Sequence, residues 1–143
     1  MFVSGGMEKH YRLTDDQFES KFADKTFPPM HFTHEAHLRL AWVHINKYGA
    51  QQAIENLCLQ IKEYALKYGA TMKYNETVTV ASVRILDHYI RRYQGDDFQD
   101  FITRWSALKT DFKSLVKQHY STDIFRSVEA KQTYLEPDLQ GFE

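Results

Sequence analysis

Apolar residues along this chain recur at the spacing of helix faces. Leu38, Ala41, Trp42 and Ile45 stand at i, i+3, i+4 and i+7, a set that a helix gathers on one side. Ala53, Ile54, Leu57, Cys58, Ile61, Tyr64, Ala65 and Tyr68 repeat the pattern over about four turns. Gly49 and Gly69 follow these two stretches, where a left-handed residue ends a helix. The link at Gly49 is so short that the two helices form an antiparallel hairpin. A further helix is expected from about Glu76 to Tyr93. Its first residues, Thr77-Val78-Thr79-Val80, favour a strand by local propensity. Val78, Ser82, Ile85, Leu86 and Tyr89 nevertheless hold one face for longer than an ordinary strand.

Shorter helices flank these three. Thr14-Asp15-Asp16-Gln17 is a capping box, with Phe18 and Phe22 four apart on the face that follows. Pro28-Pro29 force an extended linker, and Thr33 caps the central helix. Phe98, Phe101, Ile102 and Trp105 mark a fifth helix. Thr110-Asp111 and Ser121-Thr122-Asp123 read as helix starts before Leu115-Val116 and Ile124-Phe125-Val128. Residues 1–12 lack periodicity and read as a flexible leader; residues 133–143 read as an extended tail. The expected fold is all-α: one compact domain over 1–143, a bundle of four to five main helices plus short accessory helices.

Composition narrows the functional classes. Lys plus Arg number 18 against 19 Asp plus Glu, a formal net charge of -1, so there is no basic surplus for nucleic acid or an anionic membrane. No apolar run approaches the roughly 20 residues of a membrane span, and Met1–Lys9 lack the apolar block of a signal peptide. The single cysteine, Cys58, excludes an internal disulfide and a Cys-based zinc cluster. A reducing, cytoplasmic setting is the expectation, with Cys58 a buried structural thiol.

Candidate chemistry sits in Phe32–Trp42. At about 100° per residue, His34 falls within the stripe of Leu38 and Ala41, with His37 at its boundary. Two histidines at i, i+3 can reach one divalent metal, given a third ligand from elsewhere. The segment reads His-Glu-Ala-His, one residue short of the HExxH metalloprotease spacing, so that chemistry does not transfer. Tyr74-Asn75-Glu76-Thr77 opens the Glu76 helix, where free N–H groups favour a carboxylate or anion. Packing of that helix on the central one would bring Glu76 to His34, as ligand, general base or orienting group. The expected site is therefore His34, His37, Tyr74, Asn75 and Glu76, binding a small molecule or a divalent metal through His34, His37 and Glu76. The alternative is a non-catalytic interaction protein that can pair as a homodimer, with the histidines structural and Phe98, Phe101, Trp105 and Phe112 building the core. No nucleophile motif, phosphate loop or cofactor fingerprint is present.

Phe27-Pro28-Pro29, Phe32-Thr33-His34-Glu35-Ala36-His37-Leu38, Ala41-Trp42, Tyr74-Asn75-Glu76-Thr77-Val78-Thr79, Tyr120-Ser121 and Pro137-Asp138 together resemble a family of small bacterial helical proteins of uncharacterised function. Its members share a Thr-His-x-x-His-Leu segment and a Tyr-His-Glu-Thr segment. The similarity covers roughly residues 14–139 and implies no particular activity. Asn75 stands where the family pattern has histidine. If that histidine ligates a metal in relatives, Asn75 weakens the site here; Asn75 is also a good N-cap.

Overall fold

Helix α2 (His34–Tyr48) is the central element, and its neighbours arrange themselves around it. The computed structural model describes residues 7–142. Eight α-helices and no strand occur among them. The other seven are α1 (Asp15–Ala23), α3 (Ala50–Lys67), α4 (Glu76–Ile90), α5 (Phe98–Arg104), α6 (Ala107–Thr110), α7 (Phe112–Lys117) and α8 (Val128–Gln132). The all-α bundle is as expected, and α2, α3 and α4 pack against one another as its frame.

The local signals act as the sequence predicts. Thr14 Oγ1 accepts from Gln17 N at 3.1 Å while Gln17 Oε1 accepts from Thr14 N at 2.9 Å, closing the capping box of α1. Phe18 and Phe22 are fully buried beneath it. Thr33 Oγ1 accepts from Ala36 N at 3.1 Å at the start of α2. Gly49 (φ 83°) joins α2 to α3 in a left-handed conformation that an L side chain rarely adopts. After α3, Ala70 N donates to Ala65 O at 2.7 Å and Gly69 N to Leu66 O at 3.3 Å, a Schellman ending with Gly69 at φ 68°. Helix α4 forms despite its β-branched start because burial outweighs propensity: Thr77 and Ala81 are fully buried and Val80 nearly so. Its end falls at Ile90, short of the expected Tyr93.

Three expectations need correction. The flexible leader fails at its far half: Lys9–Arg12 form a 3-10 turn with His10 at 0% exposure, while residues 1–6 lie outside the described residues. The turn is held from α2, where the Arg39 guanidinium donates to His10 O (2.6 Å), Leu13 O (2.9 Å) and Asp15 Oδ1 (2.9 Å). Ser121-Thr122-Asp123 starts no helix. Asp138 accepts from both the backbone and the hydroxyl of Ser121, and Asp123 caps a single turn through Phe125 N. The helix begins instead at Val128, where Ser127 Oγ accepts from Ala130 N at 3.1 Å. Finally, α2 buries more than one stripe. Glu35, Ala36, Arg39, Leu40, Val43 and His44 are buried as well, because a central helix is covered on several sides.

The tail, residues 133–142, carries no helix and lies back on the bundle. Leu135 N donates to Thr77 Oγ1 at 3.0 Å, Tyr120 Oη donates to Leu135 O at 2.8 Å, and Leu139 N donates to His119 O at 3.0 Å. No helix among the described residues is long and apolar enough to cross a membrane.

Candidate functional site: an apolar cavity under two histidines

The α2–α3–α4 frame leaves a cavity of about 600 Å³. Helix α2 contributes the face His34, His37, Leu38, Ala41, which is the i, i+3, i+4, i+7 set one turn earlier than the predicted stripe. Leu57 and Ile61 of α3 and Val78, Thr79, Ser82 and Val83 of α4 form the facing walls. The segment Lys109–Phe112–Lys113, with Phe125, closes the remaining side. Eight of the sixteen lining residues are aliphatic or aromatic and eight are polar, with apolar atoms forming most of the exposed wall. The volume is in the size range of small-molecule sites.

His34 shares the stripe's face with Leu38 and Ala41, and that face is a solvent-reached cavity wall. Its partner is not the expected Glu76. His34 Nε2 donates to Leu108 O at 3.0 Å, because a carbonyl can only accept. That bond ties α2 to α6, with Phe112 5.3 Å away ring to ring. His37 Nδ1 likewise donates to Thr33 O at 2.9 Å, one turn back. Its ring stacks on Phe32 at 3.6 Å. Solvent reaches this ring through the cavity, but protein surrounds it otherwise. That surrounding desolvation pushes the imidazole down to about 4, with nearby His34 adding to it against the Thr33 bond. His37 is thus neutral near pH 7.

Tyr74, Asn75 and Glu76 do not join the histidines on the cavity wall. Tyr74 Oη donates to Glu76 Oε1 at 2.6 Å, and both sit by Cys58. Burial pushes the Cys58 thiol up to about 11, which keeps it protonated and a poor nucleophile. Asn75 is structural. Its Oδ1 accepts from Val78 N at 2.9 Å as the N-cap of α4, and its Nδ2 donates to Ile124 O at 2.7 Å. Among the described residues, no group of three or more His, Cys, Asp or Glu could hold a metal ion. The expected set of His34, His37 and Glu76 is therefore not assembled, because Glu76 turns to Tyr74 and His34 to α6.

The sequence reading missed Glu35. This carboxylate, buried on α2, accepts from Tyr11 Oη at 2.5 Å and from Lys109 Nζ at 2.8 Å. Burial alone would raise its pKa, but the Lys109 and Tyr11 bonds outweigh that and the net shift is downward. Lys109 also lines the cavity, so the Glu35–Lys109 pair clasps its covering segment to α2. Nothing local signals this role, since the partners lie 24 residues before Glu35 and on a helix far beyond it.

Acid should loosen the fold before the carboxylates titrate. His10, His37 and His44 all have pKa values held below the ordinary 6.5, in each case mainly by burial, with the Arg39 charge acting next on His10. The unfolded chain then binds more protons than the folded one below about pH 6.5, so stability falls as pH drops toward about 4. Glu19 and Glu35, lowered in the fold, add a second loss below their ordinary 4.5. Urea midpoints should be flat from about pH 7 to about pH 8 and fall steadily from about pH 6.5 down. A midpoint unchanged to about pH 5 would contradict this account of the histidines.

No protein-family model, curated protein or solved structure matches the chain.

Proposed function

We propose that this chain is a binding protein for a small, largely apolar molecule, which the cavity between α2, α3, α4 and the α6–α7 segment encloses. The observation that supports it is the cavity itself: about 600 Å³ of space, open to solvent, at the junction of the three framing helices. Leu38, Leu57, Ile61, Val78 and Val83 meet there. A bundle under no constraint but stability would close on such aliphatic walls, because burying them is favourable at roughly 25 cal/mol per Å². A ligand with an apolar body supplies that burial in place of water. His34 and His37 then serve as polar contacts, and no metal is part of the reading. The resemblance to small bacterial helical proteins and a reducing, cytoplasmic setting, which the lone protonated thiol Cys58 fits, belong to the same proposal.

The test is titration with an environment-sensitive apolar fluorophore. One saturable site per chain is expected, with emission shifted to the blue. Weak, unsaturable binding would point instead to the exposed Leu59 and Leu66 on the outer face of α3.

A further inference from the structure

We infer that the cavity selects an uncharged apolar molecule carrying a hydroxyl group, which donates its hydrogen bond to His37 Nε2. This rests on the cavity being a ligand site and names the class of ligand it takes.

The argument is an inventory of what the polar wall still has to offer. Its donors are largely spent, apart from the Ser82 hydroxyl and the Lys113 ammonium. Thr79 Oγ1 donates to Asn75 O at 2.8 Å and Thr110 Oγ1 to Ser106 O at 3.1 Å. Lys109 is engaged by Glu35 at 2.8 Å. Both histidines use an N–H on a backbone carbonyl, His34 on Leu108 and His37 on Thr33. A neutral imidazole has one N–H and one lone pair. With His34 Nε2 committed to Leu108 and His37 Nδ1 to Thr33, His34 Nδ1 and His37 Nε2 are left, and each can only accept; of the two rings it is His37 that a stack holds in place. The Phe32 stack fixes the ring plane at 3.6 Å, so the acceptor is pre-oriented.

Charge excludes the alternatives. An alkylammonium brings a cation into a site whose surroundings already disfavour a protonated histidine, and the carboxylate on its wall, Asp111, is already engaged by the Ser114 hydroxyl at 2.7 Å. A carboxylate would place its lone pairs against the lone pair of His37. Lys113 is the cation best placed to rescue an anion, but its ammonium lies over the Phe125 ring, 5.3 Å from the centroid, and Asp111 stands on the same wall. A hydroxyl donates without charge and leaves its chain to the aliphatic walls.

The experiment is displacement of the apolar fluorophore by four ligands with one chain length: decanol, decyl methyl ether, decanoate and decylammonium. The expected order places decanol first, about tenfold tighter than the ether, the worth of one donated hydrogen bond. His37→Phe keeps a ring to stack on Phe32 but has no acceptor, and should bring decanol down to the ether. Equal binding of decanol and ether by the wild-type chain overturns the inference while the cavity stands as a site. Decanoate as the tightest ligand overturns it in favour of recognition by Lys113. If the fluorophore itself finds no site, the cavity reading fails and the inference falls with it. The wild-type comparison decides without the variant, so a failure of His37→Phe to fold does not blunt the test.

Discussion

Replacing Arg39 with methionine should lower stability by about 3 kcal/mol, since three hydrogen bonds in a buried setting are lost and two backbone carbonyls are stranded. Arg39 is 5% exposed, and its guanidinium reaches His10 O, Leu13 O and Asp15 Oδ1. It also lies 5.1 Å from the Phe18 ring centroid and 5.5 Å from that of Tyr11, a cation–π setting. Methionine fills much of the same volume but supplies no donor. For a domain of this size the melting temperature should drop by about 10 °C. Arg39→Lys should recover only part of this, because one ammonium cannot span the fork of acceptors. The damage should be local. The Lys9–Arg12 turn has few other anchors, among them the contact of His10 Nε2 with Glu8 at 3.0 Å. Amide exchange should therefore accelerate first in residues 8–14. A variant that melts within about 2 °C of the wild type would show that the guanidinium does not hold the segment.

The second large effect is at Asn75. Asn75→Ala removes the N-cap of α4 and the donor to Ile124 O, both in a buried setting. The cap is worth about 1 kcal/mol and the stranded carbonyl another 1–3 kcal/mol. A total near 3 kcal/mol is expected in a urea melt. Asn75→Asp separates the two roles: its carboxylate still caps Val78 N but cannot donate to Ile124 O, and it is a buried charge. It should be more stable than the alanine variant if the cap dominates, and should match or fall below it if the Ile124 bond does. Either variant at wild-type stability would contradict the structural role of Asn75. Asn75→His should not create a metal site. His34 and His37 are held to Leu108 and Thr33, and no third ligand of the described residues joins them.

What the sequence showed and what it hid divide along contact range. Thr14, Thr33, Gly49, Gly69 and Asn75 are legible because each acts on backbone within a few residues of itself. The stripe of Leu38 and Ala41 is legible because helical periodicity is local too. The error over His34 arose where that periodicity stops being informative. The angle placed the residue on the right face, but not what that face meets, and there it meets a cavity and the carbonyl of Leu108, 74 residues on. Arg39 and Glu35 were hidden for the same reason. A charged residue in an amphipathic pattern reads as solvated face, and their partners come from the N-terminal turn and from α6. Ser121-Thr122-Asp123 carries a sound helix-start signal, but Asp138 competes for Ser121 from 17 residues away. The leader looked flexible because its order is imposed by Arg39 rather than by its own sequence.

The central claim is that the cavity holds a ligand, and the most direct measurement compares fluorophore titrations of the wild-type chain and Ser82→Leu. Ser82 lines the α4 wall of the cavity and is half-buried. Leucine there suits a helix interior and puts an isobutyl group into the open space, so the variant should fold and melt as the wild type does or slightly higher. The account predicts one saturable site in the wild type and binding at least tenfold weaker in Ser82→Leu. Equal affinity in the two folded proteins would place the fluorophore elsewhere and contradict the claim.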